Sequence, residues 1–274
     1  MTLHANIRAQ MQALLSQAQS DEIGQLNNAL RLVSKWRSVL LQNTVLQNHG
    51  TKVWQGPLQG LDFVRHATEG CLVAKLIGCY EQPLHRYLEQ VVAANYAHLV
   101  NIGCSEGYYA VGLARRMPHS LVHAFDINPI AQETCRALAE KNGVAERVKV
   151  GALFSQSDFS RYAGTRTLIL CDIEGAEREL LDPATAPALR EFDLIVESHE
   201  CFVTGVTKLL VERFQASHEI ALVQDNGLRQ LANAPAWFNN LSHLDQLLAT
   251  WEWRSGPTPW LIMKSKTSAQ KVAP

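Results

Sequence analysis

Between residues 97 and 265, short apolar runs alternate with segments of helical period, and no other feature restricts the fold as tightly. Strands are expected at 98–102, 121–126, 147–150, 167–172 and 192–197, and again at 218–223 and 259–264. Helical segments are expected at 107–117, 129–142, 174–182 and 203–214. Strands that alternate with helices are joined by right-handed crossovers, so they build a mostly parallel sheet with helices on both faces. LVHAF and LILCDI are near-continuous apolar runs, as strands covered on both faces require. The expected fold class is α/β.

Ligands of open α/β sheets sit beyond the carboxyl ends of the strands, where the winding reverses. At that end Gly103-Cys104-Ser105-Glu106-Gly107 links strand 98–102 to its helix. Glycine lets main chain approach a ligand, and the helix start offers free N–H groups to an anion such as a carboxylate. The next strand ends on Asp126, placed to accept hydrogen bonds from ribose hydroxyls. Together these features imply a nucleoside cofactor. GCSEGYYAVG is not the GxGxxG of dinucleotide binders, because its second glycine comes four positions after the first, and GxxxxGK[ST] is absent. A nicotinamide-dependent oxidoreductase is therefore disfavoured.

A second constellation follows. LILCDIEGAERELL ends a strand on Asp172 and opens a helix with Glu174 and Glu177, and DLIVESHE brings Glu197, His199 and Glu200 to the next strand end. Carboxylates and an imidazole thus face one crevice, and burying such charge needs a purpose or a partner. His199 is suited to take a proton near neutral pH; the alternative is a structural histidine bonded to a nearby carbonyl. Asp172, Glu197 and His199 also make a set able to hold magnesium or manganese. Glu174 and Glu177 either meet a ligand or serve the negative preference of a helix N-terminus. Trp251, Trp253, Arg254 and Trp260 either line an acceptor pocket or belong to the core.

The glycine turn resembles motif I of class I S-adenosylmethionine-dependent methyltransferases, (D/E)xGxxxG, with an acidic ribose residue after the second strand. Asn101 stands where those enzymes usually carry an acid. An amide can hydrogen-bond but cannot offset the methionyl ammonium, and Glu106 is either the replacement carboxylate or a solvated loop residue. DIEGAE followed by a strand ending ESH is similar to the FkbM-type methyltransferases, whose pattern is roughly D(V/I)EGxE and then (V/I)ExH. KLIGCYEQPL, with Tyr80 and Glu81, and GPLQGLDF resemble segments upstream of motif I in that family. The resemblance covers about 53–265.

It implies a Rossmann-like, seven-stranded class I methyltransferase sheet with an inserted antiparallel last strand, preceded here by a helical extension. It implies cofactor contacts from Asn101, Gly103, Cys104, Ser105, Glu106, Gly107 and Tyr108 around the turn. Asp126, Ile127, Ala152 and Asp172 would make further contacts at the following strand ends, and His199, Asp172 and Glu197 would be catalytic. The implied reaction is methyl transfer from S-adenosylmethionine to a hydroxyl of a small molecule or sugar, with S-adenosylhomocysteine as product. Magnesium-binding sugar and macrolide methyltransferases have a ligand pattern this chain does not convincingly match, so no metal is assigned. A nucleic-acid methyltransferase and a cofactor-binding protein without activity are the alternatives.

The 274 residues carry 25 Lys and Arg against 26 Asp and Glu, a balance that advertises no nucleic-acid partner. No apolar run approaches the roughly 18 residues of a membrane span. Six cysteines, none in a CxxC pair, read as reduced core thiols of a cytoplasmic protein with no export pattern at its start. A helical extension is expected over 1–50, N-capped for its second helix by Ser20, with apolar stripes at Ile7, Met11, Leu14 and at Ile23, Leu26, Leu30, Val33, Leu40. It is either a cap or a homodimer contact. A hairpin and a helix beginning near Pro83 occupy 51–96, the cofactor domain 97–265 and a loose tail 266–274. The expected partner is a small-molecule acceptor, with no nucleic acid and no membrane.

Overall fold

The computed structural model describes residues 2–16, 21–67 and 70–267. Seven strands form one sheet: β1 His98–Ile102, β2 Leu121–Phe125, β3 Val148–Gly151, β4 Thr167–Cys171, β5 Asp193–Glu197, β6 His218–Val223 and β7 Trp260–Ser265. Each lies within one residue of its expected bounds. The order is β3-β2-β1-β4-β5-β7-β6. β1 to β5 run parallel, and β7 is antiparallel to both β5 and β6. The winding reverses between β1 and β4, which opens a crevice over their carboxyl ends.

Ten α-helices, numbered in chain order, accompany the sheet in the described chain, with three short 3-10 helices at Gln82–Leu84, Gln156–Tyr162 and Pro187–Glu191. The α-helices are α1 Leu3–Ser16, α2 Glu22–His49, α3 Leu72–Ile77, α4 His85–Ala93, α5 Tyr108–Arg116, α6 Pro129–Lys141, α7 Glu177–Leu180, α8 Val206–Phe214, α9 Ala236–Asn239 and α10 His243–Ala249. β4 and β5 are buried at every position, because apolar clusters cover both faces of the sheet. The helix expected over 174–182 is only the single turn α7. Glu174 at φ 56° and Gly175 at φ 105° have positive φ, which keeps these two residues out of the helix.

Residues 51–63 form a hairpin-like turn closed by an antiparallel bridge between Lys52 and Asp62. The expected N-cap Ser20 lies outside the described residues, as does 268–274 of the tail; α2 is capped by Asp21, which accepts from the Gly24 amide. Only the far half of α2 joins the core, through Ser38, Leu41 and Val45. There Arg37 pairs with Asp245 of α10 at 2.6 Å. Ile23, Leu26 and Leu30 on the near half stay more than half exposed. Among the described residues no helix is long and apolar enough to cross a membrane.

Candidate active site

The glycine turn is built by backbone demands before any ligand. Gly103 has φ 78°, and a Cβ there would lie 1.7 Å from the Asp172 carbonyl oxygen. Gly107 has φ 91°, with Cys135 Sγ 2.7 Å from a Cβ. The freedom of glycine is therefore spent on close approach of β1 to the β4 end, and of α5 to α6. The amides of Gly103 and Cys104 donate to the Phe125 carbonyl at 2.8 and 2.9 Å, tying the turn to the end of β2.

Asp126 joins the two loops. Its carboxylate accepts from Ser105 N at 2.9 Å and from Asn128 N at 2.8 Å, one bond on each oxygen. A carboxylate oxygen has a second lone pair, so the group keeps acceptor capacity toward a diol. Above it opens a cleft of about 880 Å³, bordered by Gly103, Ser105, Asp126, Ile127, Ala152 and Asp172. Leu153 and Phe154 extend its wall, and Ile127 and Leu153 are more than 70% exposed, bare apolar surface such as a flat base would cover.

Five expected cofactor residues are not brought to this cleft. Asn101 is buried in β1 between Ala124 and Leu170; its amide nitrogen reaches Leu170 O only at 3.5 Å, and Oδ1 has no hydrogen-bond partner. Glu106 is fully buried, takes a hydrogen bond from Ser105 Oγ at 2.9 Å and lies 3.6 Å from Lys75 of α3. It is thus neither solvated nor at the cleft wall. Cys104, Gly107 and Tyr108 also sit behind the turn, with the Tyr108 ring packed edge-on against Phe63 and Tyr80.

A second, smaller chamber of about 160 Å³ adjoins the cleft, and Asp172 and Glu174 border both. His199 is 3% exposed and lies in its wall. Its Nδ1 is 3.0 Å from Glu177 Oε1, while Nε2 faces Asp172 Oδ1 at 3.5 Å and Glu174 Oε2 at 3.4 Å. Phe202 stacks on the imidazole at 5.8 Å. Burial disfavours the imidazolium, but the Glu177 hydrogen bond and the charges of Glu197, Glu177 and Glu174 outweigh it and raise the His199 pKa. Glu177 is fully buried and also accepts from Ile173 N at 2.9 Å, so it orients His199 and neither caps the helix as a solvated acid nor borders the chamber.

Glu197 ion-pairs with Arg254 rather than with His199. Arg254 also reaches Glu81 at 2.9 Å and Asp225 and Glu252 at 3.3 Å. Glu200 turns away from the crevice: it accepts from the amides of Gly205 and Thr207 at the start of α8. Trp253 and Arg254 border the chamber, Trp251 stacks behind Trp253 at 4.0 Å, and Trp260 is core. No local motif marks Phe202, three residues past His199, and Asp225, Arg229 and Glu252 reach the site only through tertiary packing, Arg229 by pairing with Asp225 at 2.6 Å and Glu252 at 2.5 Å.

Glu81 is almost fully buried and accepts from the Tyr109 hydroxyl. Burial, with the nearby Glu197 and Glu252 charges, pushes its pKa up to about 8 against the pull of Arg254. The unfolded carboxyl titrates near 4.5, so between these values the folded chain holds a proton that the unfolded chain has lost. The contribution is complete below pH 4.5 and is lost as pH rises through about 8. Unfolding free energy, measured in urea across this window, should fall with a slope approaching about 1.4 kcal/mol per pH unit, and Glu81→Gln should flatten it. An unchanged slope in that variant would remove Glu81 as the source.

No family model matches the chain. A curated relative, the release factor glutamine methyltransferase of Thermosynechococcus vestitus, is 32% identical over 114 residues. That match spans 39% of this chain and 39% of the relative, so the chain covers only about two fifths of the relative's length. Among solved structures, cofactor-bound Rv0187 from MTB has 16% identity and a TM-score of 0.49 over 72% of this chain and 88% of its own. An O-methyltransferase from Bacillus cereus in complex with SAH has 13% identity and a TM-score of 0.44 over 65% and 78%. The strand order, with β7 inserted antiparallel between β5 and β6, decides the architecture. This is the class I methyltransferase fold.

Proposed function

We propose that the chain is an S-adenosylmethionine-dependent methyltransferase acting on a hydroxyl oxygen of a small molecule or sugar, related to the FkbM-type enzymes. One observation carries the reading: a cleft of about 880 Å³ lies beside a chamber walled by His199, and Asp172 and Glu174 border both. The donor set fits the cofactor. Asp126 offers lone pairs to the ribose hydroxyls, and Ile127, Leu153 and Phe154 offer apolar cover to the adenine; the amides of Gly103, Cys104 and Ser105 are already bonded to Phe125 and Asp126, so the turn offers main-chain carbonyl oxygen, not free N–H groups, at the methionine end. The bound cofactor would supply a sulfonium-borne methyl group.

The chain's own part is alignment and proton handling. Holding an oxygen in line at the junction can contribute roughly 7–11 kcal/mol by effective concentration. Asp172, Glu174 and Nε2 of His199 are the groups that face a hydroxyl there, and the chamber's small volume limits the water that shares it. Isothermal titration with S-adenosylhomocysteine tests the first half of the reading, with micromolar affinity expected and none for NAD. Asp126→Ala should weaken that affinity at least tenfold by calorimetry, since two ribose hydrogen bonds to a charged acceptor are lost. Unchanged affinity would remove the ribose assignment. Transfer of labelled methyl to hydroxyl acceptors tests the second half, and binding without any transfer would leave a cofactor-binding protein.

A further inference from the structure

A cavity of about 320 Å³ lies at the end of the sheet opposite the cleft, where β4 and β5 begin and β7 ends. Arg166 precedes β4 and Asp172 follows it, so the two places are separated by roughly 20 Å of strand. On the helix side the cavity is bordered by Tyr87, Gln90, Val91 and Ala94. Those positions recur at the three- and four-residue intervals that put side chains on one face of α4 and its C-cap. On the strand side Leu168, Ile195 and Ile262 belong to the same buried apolar cluster as Val91.

The polar groups of this lining are few, and one of them lacks a partner. Arg166 Nε is buried and makes no hydrogen bond, while the guanidinium lies 5.3 Å from the centre of the Tyr96 ring. Asp193 is the buried carboxylate of the lining, and its oxygens accept from the Tyr96 hydroxyl at 2.7 Å and the Ser265 amide at 2.8 Å. Neither takes the Arg166 Nε proton. Lys266 Nζ is committed to the carbonyls of Gln215 and Ala216 at 3.0 and 3.2 Å. Lys264 approaches Gln90 Oε1 at 3.4 Å and has Glu219 opposite it on β6. Arg166 is therefore the cation that the cavity offers. A buried donor without an acceptor is unfavourable, and a guanidinium matches a carboxylate that takes two of its N–H groups side by side.

We propose that this cavity binds a small organic monocarboxylate, its carboxylate on Arg166 and its apolar body between α4 and the strand side chains Leu168, Ile195 and Ile262. The volume stands at the lower end of small-molecule sites, which suits a body of about one ring. A single guanidinium beside Asp193 and Glu219 favours one negative charge over the two of a phosphate. The site is distinct from the cleft and the chamber, and it stands whether or not the chain transfers methyl groups.

Benzoate, titrated into the full chain and followed by saturation-transfer NMR, tests the site. Binding at about 1 mM or tighter is expected for a ligand of about nine non-hydrogen atoms. Benzamide, which has the same shape without the charge, should bind at least tenfold more weakly, and about 10 mM inorganic phosphate should not displace benzoate. Arg166→Gln should weaken benzoate at least tenfold by removing the fork, and Ala94→Leu should do the same by filling the space. Circular dichroism and thermal melting identify any variant that fails to fold, and Ala94→Leu carries the test if Arg166→Gln does not. Saturating S-adenosylhomocysteine should leave benzoate affinity unchanged. No benzoate binding at about 10 mM overturns the proposal. So does equal binding of benzamide, displacement by phosphate or by S-adenosylhomocysteine, or an affinity that survives either substitution in a folded variant.

Discussion

Gly103→Ala should cost at least about 3 kcal/mol of stability, lowering the melting temperature by roughly 6–12 °C, or should prevent folding. Two causes add. The residue sits at φ 78°, where a side chain costs about 1–2 kcal/mol. Its Cβ would also fall 1.7 Å from the Asp172 carbonyl oxygen and 2.8 Å from the carbonyl carbon. Backbone cannot swing aside as a side-chain tip can, so β1 and the β4 end must separate. Gly143→Ala separates the causes, because φ there is 68° and nothing lies within 4 Å of the new Cβ. That variant should lose only about 1 kcal/mol. Equal losses in the two, by thermal or urea unfolding, would show that the contact with Asp172 is relaxed in solution. The functional consequence is separate: displacement of Asp172 should impair the junction of the two cavities even in protein that still folds.

Which parts of this chain are legible without coordinates follows from what each part depends on. The strands were readable because β4 and β5 are buried on both faces, which forces unbroken apolar runs such as TLILC. Asp126 was readable because its position depends only on the end of β2 and the following loop. Asn101 and Glu106 were not. Placing them at the cofactor followed the family motif, whereas their burial depends on the side each faces: Asn101 into the sheet, and Glu106 toward Lys75 of the distant α3. Glu197 is legible at a strand end and does border the chamber with Asp172 and His199, but its ion-pair partner is not legible. Arg254 lies 57 residues further along, in an irregular segment before β7, and no periodicity announces that it returns to pair there. Glu177 shows the opposite case. A glutamate at a helix start satisfies a local rule, and that rule concealed its longer-range contact with His199.

His199→Ala should lower methyl-transfer turnover by about 10²–10⁴-fold while leaving S-adenosylhomocysteine affinity within a few-fold of the parent. The separation follows from the walls. His199 borders the small chamber and not the cleft, so its loss removes no cofactor contact. It does remove Nε2, the nitrogen placed to receive a proton, from the chamber wall. It also leaves Asp172, Glu174 and Glu177 facing one another without the group that lies between them. Glu177→Gln should be milder, about tenfold in turnover, because an amide oxygen can still accept from Ile173 N while the restraint on the ring weakens. The order of the two variants is the informative result. If Glu177→Gln cost as much as His199→Ala, the buried carboxylate would be contributing charge to the reaction and not merely orientation. If His199→Ala kept full turnover, the chamber would be no part of the reaction, and the acceptor would have to approach the cleft from its open side past Ile127 and Leu153.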